Sequence, residues 1–302
     1  YKQGLKISEK LDDKRSISIK KWNLSICLTL QQKYAEALKL LNDAKELMEQ
    51  LNELQSVSGI THQIGMVYEK TNNFKAAEKA YREALAIRIK IKDKNGEGDS
   101  LGQLGNLYDN IGYYEDAVVF YRQACDIHIQ LKDLKKEGHD HNNTANTLIK
   151  LKRYDEARDE IKRAIECKSQ FGHAAQPWTS FAILYDLEIA ASNTKAAKQA
   201  WEQAFSAYLN YRKDGGYGQS NSTQIVELFK NSVAQGNTSE LEMMFKQASN
   251  MNLPEDNTFL FFKLKLVLDG NRDIALARDS GLYYRDAVEL HLLLEWLGEN
   301  GL

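Results

Sequence analysis

The stretch "IGMVYEKTNNFKAAEKAYREALAI" at residues 64–87 is matched forty residues later by "LGNLYDNIGYYEDAVVFYRQACDI" at 104–127. The spacing extends in both directions. Ala37, Ala77, Ala117, Ala157 and Ala197 stand 40 apart, as do Ala44, Ala84, Ala124, Ala164 and Ala204. Between the two columns lie Leu41, Tyr81, Tyr121, Ile161 and Trp201. Three residues before the first column come Tyr34, Phe74, Tyr114 and Tyr154, with Thr194 breaking the series. A fixed period of this size is the signature of a solenoid or similar array.

The internal spacing explains itself on a helix, where positions i, i+4 and i+7 share one face. Ala37, Leu41 and Ala44 form one such stripe. Small residues let a neighbouring helix approach closely, and the large residue between them fills the gap. A partner helix precedes each stripe, reading "THQIGMVYEK" at 61–70, "LGQLGNLYDN" at 101–110 and "HNNTANTLIK" at 141–150. Its small column is Gly65, Gly105 and Ala145, and its bulky column is Tyr68, Tyr108 and Leu148. A glycine inside a helix costs about 1 kcal/mol against alanine, so close helix contact is the expected compensation. The short connections "QQK", "TNN", "NIG", "LKR" and "ASN" join the helices as antiparallel pairs.

These residues resemble the tetratricopeptide repeat over about 15–212, in the variety with a 40-residue period. That variety is similar to the arrays of kinesin light chains, G-protein-signalling modulators and bacterial multidomain signalling proteins. The resemblance implies an all-α, right-handed superhelical solenoid of antiparallel helix pairs. Residues 14–212 hold five repeats. Tyr1 falls in the register of Tyr81 and Gly4 in that of Ala84. Residues 1–13 are therefore expected to be the second half of a preceding repeat, in a fragment of a longer array. In the fifth unit Pro177 opens the first helix, while Tyr185 takes the small column and Glu188 the bulky one. Beyond the glycine-rich "RKDGGYGQSNS" at 212–222 the period is lost. Helices are expected at 223–235, 239–250, 257–269 and 284–298, and 213–302 reads as a helical C-terminal cap or small domain.

Composition narrows the function. The chain has 302 residues, 43% of them hydrophobic and 27% charged, with two prolines and a net charge of −2. That balance gives no bulk attraction to nucleic acid or anionic membrane. No stretch approaches the roughly 20 apolar residues of a membrane span. Cys27, Cys125 and Cys167 lie far apart, without metal-ligand spacing, and suit reduced thiols in the cytoplasm. "GEGDSLG" at 96–102 fits no nucleotide-loop pattern and reads as an inter-repeat turn running into a helix. His139 and His141 in "HDH" project about 200° apart on a helix and cannot easily share a metal ion. No catalytic residue, cofactor or metal site is expected.

The array itself points to binding. The resemblance places the first helix of each pair on the concave wall. The positions there are His62, Met66 and Lys70, then Gln103, Asn106 and Asn110, then Asn142, Asn146 and Lys150. Amide side chains both donate and accept, so they can hold an extended backbone of any sequence. Asn106 and Asn146 would sit side by side on that wall. The expected function is a non-catalytic scaffold for a protein or peptide segment, serving as the sensor or partner-recognition arm of a larger signalling protein with further N-terminal domains. The alternative is a structural spacer or oligomerisation arm with no groove ligand.

Overall fold

The computed structural model describes residues 7–8, 10–218, 220–250, 255–279 and 281–302. Among them the regular structure is helical throughout, without a strand. The reading of Tyr1 and Gly4 as half of a hairpin lies outside the described residues. Eight helices form an unbroken series: α1 (Lys14–Leu30), α2 (Tyr34–Gln50), α3 (Leu54–Lys70), α4 (Phe74–Lys90), α5 (Lys94–Asn110), α6 (Tyr114–Leu131), α7 (Leu134–Lys150) and α8 (Tyr154–Ser169). A fifth pair follows, α9 (Trp178–Ala190) and α10 (Thr194–Lys213). Then come α11 (Asn221–Ala234), α12 (Ser239–Asn250), α13 (Glu255–Leu268) and α14 (Tyr284–Glu299). The expected C-terminal helices are all present, with ends shifted by one or two residues.

The 40-residue period divides into two equal halves. A left-handed residue recurs every 20 positions, at Asp12, Gln32, Asn52, Asn72, Lys92, Gly112, Lys132, Lys152, Gly172 and Ser192. Around Asn72 its N–H donates to the Glu69 carbonyl at 2.9 Å, and the Asn73 N–H donates to the Tyr68 carbonyl at 2.9 Å. This pair of bonds closes a helix end through one left-handed residue. The residue that follows then opens the next helix. Asn73, Asp93 and Asp133 each accept from a backbone N–H three residues on, which satisfies a donor the helix start leaves over. Each module is therefore a helix of about five turns and a three-residue link. The link after α5 is 111–113, one residue later than "NIG". "GEGDSLG" lies inside α5, because Asp93 caps that helix and Lys94 begins it.

Both alanine columns are buried, and so are Leu41, Tyr81, Tyr121, Ile161 and Trp201 between them. The glycines of the small column each receive a ring. A Cβ on Gly65 would stand 2.5 Å from the Tyr81 ring, and one on Gly105 would stand 2.6 Å from that of Tyr121. In the next repeat Ile161 takes the register of the rings and Ala145 that of the glycines, and both are buried. Volume is thus exchanged across one contact, as dense packing requires. Ion pairs 38 residues apart, such as Arg153 to Glu115 at 2.7 Å, run between equivalent helices on the surface. Exposed pairs of this kind contribute little each.

The chain forms two compact units, Tyr1–Cys167 and Lys168–Leu302. The fifth pair keeps the alanine columns, with Ala197 and Ala204 both buried. Compactness groups that pair with the C-terminal helices. In the second unit Trp178, Trp201, Phe205 and Tyr208 share a core with Val226, Leu260, Leu290 and Leu293. The Trp201 indole N–H donates to the Leu282 carbonyl at 2.8 Å, and Arg212 pairs with buried Glu289. Here α14 packs against α10, the second helix of the fifth pair. No helix among the described residues is long and apolar enough to cross a membrane.

Candidate interaction face

The first helices α3, α5 and α7 present equivalent faces in the first unit, and two hollows open on them. The larger, about 520 Å³, is lined by Met66, Lys70, Phe74, Gln103 and Asn110. The smaller, about 360 Å³, takes His62, Gln103 and Asn106 from the expected set. Gln103 borders both. Six of the nine expected positions therefore come together. Asn146 is exposed beyond these hollows. Lys150 pairs with Asp109 and lies over the Tyr114 ring at 5.2 Å. Asn142 is buried and does not reach the face.

The expected amide ladder also needs correction. Asn106 Oδ1 accepts from the Tyr121 hydroxyl at 2.7 Å, and its amide lies 3.4 Å from Gln103 Oε1. Asn106 thus anchors the ring that fills Gly105 and does not project freely toward Asn146. In the preceding repeat Glu69 serves the same purpose. It accepts from the Tyr81 hydroxyl at 2.8 Å and from the Asn110 amide at 3.0 Å. Burial, reinforced at Tyr81 by Glu69, pushes both phenols well above their ordinary value, so they stay neutral donors.

A second polar layer was not legible from spacing. Arg88 and His128 occupy one register, 40 apart, on the core side of α4 and α6. Arg88 donates to Ser100 Oγ at 2.7 Å and to the Gly96 carbonyl at 2.8 Å. His128 Nδ1 lies 2.5 Å from Asp140 Oδ2. Gly98 makes room for that imidazole, since a Cβ there would stand 2.7 Å from Nε2. Burial raises the Asp140 carboxyl above the usual carboxylate value, and the His128 contact opposes this. Burial also drives His62 down to about 4, with Arg88 adding to the effect, so its ring is neutral near pH 7.

His139 and His141 diverge. His141 is buried between Glu160, at 2.6 Å, and Cys125 Sγ, at 3.4 Å. His139 lines the smaller hollow. Burial raises the Cys125 thiol, and burial with Glu137 pushes Cys167 up to about 12. Neither thiol is ionised near neutrality, so neither is an activated nucleophile.

The first unit is thus a stack of helical hairpins with one continuous face of first helices, the kind of extended surface on which solenoid proteins bind. The tetratricopeptide-repeat family model matches residues 16–90 and 56–130, and a second tetratricopeptide-repeat model matches 141–171. The chain carries a tetratricopeptide-repeat array. Comparison with proteins of described function finds no match in sequence. Among solved structures, BtubC (BKLC) from P. vanneervenii superposes with a TM-score of 0.56 at 19% identity, covering 80% of this chain and 93% of that one. A signal transduction ATPase with numerous domains from Pyrococcus horikoshii, with a tetratricopeptide-repeat sensor, gives 0.60 at 16% identity, covering 99% of this chain and 45% of that one. A Rap protein complexed with Competence and Sporulation Factor gives 0.53 at 14% identity, with 95% and 75% covered. At these identities the likeness is one of fold.

Proposed function

We propose that the chain is a non-catalytic recognition module that takes an extended protein or peptide segment on the face formed by α3, α5 and α7. The observation that carries this reading is the pair of adjoining hollows on that face, sharing Gln103 and holding exposed Met66 beside polar groups. A flexible thioether suits adaptable contact, and the amides supply orientation. The Rap complex supports ligand binding by this fold, and the ATPase supports a sensor arm within a larger signalling protein, for which a cytoplasmic location is part of the proposal. Further N-terminal domains of the same chain belong to this proposal. Peptide-display selection against the purified chain, repeated with Met66→Arg, tests it. The substitution lies on an exposed position and leaves the core untouched, so the selected peptides should lose binding while the melting temperature holds. Equal binding by both proteins would count against this face.

An oligomerisation arm is the second reading. It draws on Ile19, Ile26 and Leu30, which leave apolar side chains exposed on α1. Light scattering across a concentration series would favour it if a dimer formed and Ile26→Lys abolished that dimer.

A further inference from the structure

The helix α5 carries four glycines, and three have a packing reason. Gly105 receives the Tyr121 ring, Gly98 the His128 ring, and Gly96 lies against Asp93 and Arg88. Gly102 does not. A Cβ there would meet one atom within 4 Å, Asp140 Oδ1 at 3.9 Å. A glycine inside a helix costs about 1 kcal/mol against alanine. At Gly102 no neighbouring side chain uses the space it leaves, and the smaller hollow occupies that space.

The groups around this opening are mainly acceptors. Asp140 spends Oδ2 on His128 and turns Oδ1 over Gly102. The Asp99 carboxylate borders the same hollow, its side chain 44% exposed. Two ring nitrogens on its walls, His62 Nδ1 and His128 Nε2, are buried without a hydrogen bond, and His128 Nε2 lies 3.8 Å from Asp99 Oδ1. His128 is itself only 2% exposed. The one lysine present, Lys136, already gives its ammonium to Asp99 at 2.6 Å and Asn95 at 2.9 Å. His139 also borders the hollow, and His62 is held neutral. Two carboxylates, with ring nitrogens beside them that make no hydrogen bond, favour a ligand that is rich in donors and positively charged.

We propose that the hollow floored by Gly102 is a selectivity pocket for a basic side chain, lysine or arginine, of the bound segment. The cation donates to Asp140 Oδ1, and its alkyl stem crosses the open backbone at Gly102. This rests on the reading of the α3, α5 and α7 face as a peptide-binding surface and adds to it a residue preference at one position. Asp140 and Gly102 set specificity, while the rest of the face takes backbone.

The test is a positional peptide library with one varied position in each member, probed with the wild-type chain, Gly102→Leu and Asp140→Asn. Gly102→Leu fills the opening on the Oδ1 side of Asp140, away from the Oδ2 that meets His128, and it gains helix propensity, so it stays folded if Asp140→Asn does not. Wild type should enrich lysine or arginine at one position, and each variant should lower binding of the best basic peptide by about tenfold while non-basic members change little. Enrichment of acidic residues, no selection at any position, or a basic preference that survives Gly102→Leu would overturn the pocket alone. If wild type holds no peptide at all, the face reading falls as well. A preference for lysine over arginine, or the reverse, reports which cation fits and leaves the assignment standing.

Discussion

Gly102 and Gly105 lie one helical turn apart on α5, and replacing each by alanine should move stability in opposite directions. Both substitutions gain about 1 kcal/mol of helix propensity. At Gly102 nothing opposes the gain, since the new methyl meets one oxygen at 3.9 Å. At Gly105 the methyl would stand 2.6 Å from two carbons of the Tyr121 ring, which real atoms cannot share. Overpacking of this kind costs about 1–3 kcal/mol. The ring cannot swing aside freely, because its hydroxyl is tied to Asn106 at 2.7 Å, a bond worth about 1 kcal/mol. The propensity gain is common to both, so the two variants should differ by the overpacking cost plus the strained hydroxyl bond, roughly 2–4 kcal/mol, with Gly102→Ala more stable than wild type and Gly105→Ala less. Guanidinium unfolding followed by far-ultraviolet circular dichroism reads the difference. The double variant Gly105→Ala with Tyr121→Ile copies the residues that the next repeat places in the same register, Ala145 and Ile161, and should recover most of the loss. Equal stabilisation by both alanines, or no recovery in the double variant, would refute the exchange of volume across this contact.

Other outcomes follow from the same structure. Gly112, at φ +85, should lose about 1 kcal/mol on replacement by alanine, while Lys132→Gly, at φ 56, should gain a similar amount in thermal melts. His62 binds its proton only near pH 4 when folded, against 6.5 in the open chain, so the unfolded state takes up that proton first as pH falls. Its contribution is complete above pH 6.5 and is lost between 6.5 and 4, by roughly 3 kcal/mol at the lower limit. His62→Gln should flatten the pH dependence of the unfolding free energy across that window, and an unchanged slope would contradict the burial of the ring. Asn106→Ala should cost about 1 kcal/mol by stripping the Tyr121 hydroxyl of its acceptor, whereas Asn146→Ala should leave the unfolding midpoint where it is.

Most of the fold was legible because its cause is a spacing. Alanines at i and i+7 with a large residue between them define one helical face, whatever surrounds them. The turns were less legible. Their left-handed residues are Asp, Gln, Asn, Lys, Gly and Ser in different repeats, since the motif is made of backbone bonds and asks little of the side chain. On the interaction face, the resemblance together with helical spacing pointed to Met66, Lys70 and Gln103, which line the two hollows. It could not tell that Asn142 is buried or that Asn106 is held by Tyr121, because both depend on which residue arrives from a neighbouring helix. The His128–Asp140 pair escaped for a related reason. A lone histidine in a second helix reads as surface until the glycine opposite it, Gly98, is seen to make room for it.

Methionine-methyl NMR of the chain, titrated with a peptide recovered by display selection, puts the binding face to the most direct trial. Met66 is exposed on α3, Met48 is buried in the core of the same unit, and Met243 is exposed on α12 in the other unit. The Met66 methyl signal should shift with peptide while those of Met48 and Met243 stay in place. A shift of Met243 with Met66 unmoved would put the working surface elsewhere on the molecule.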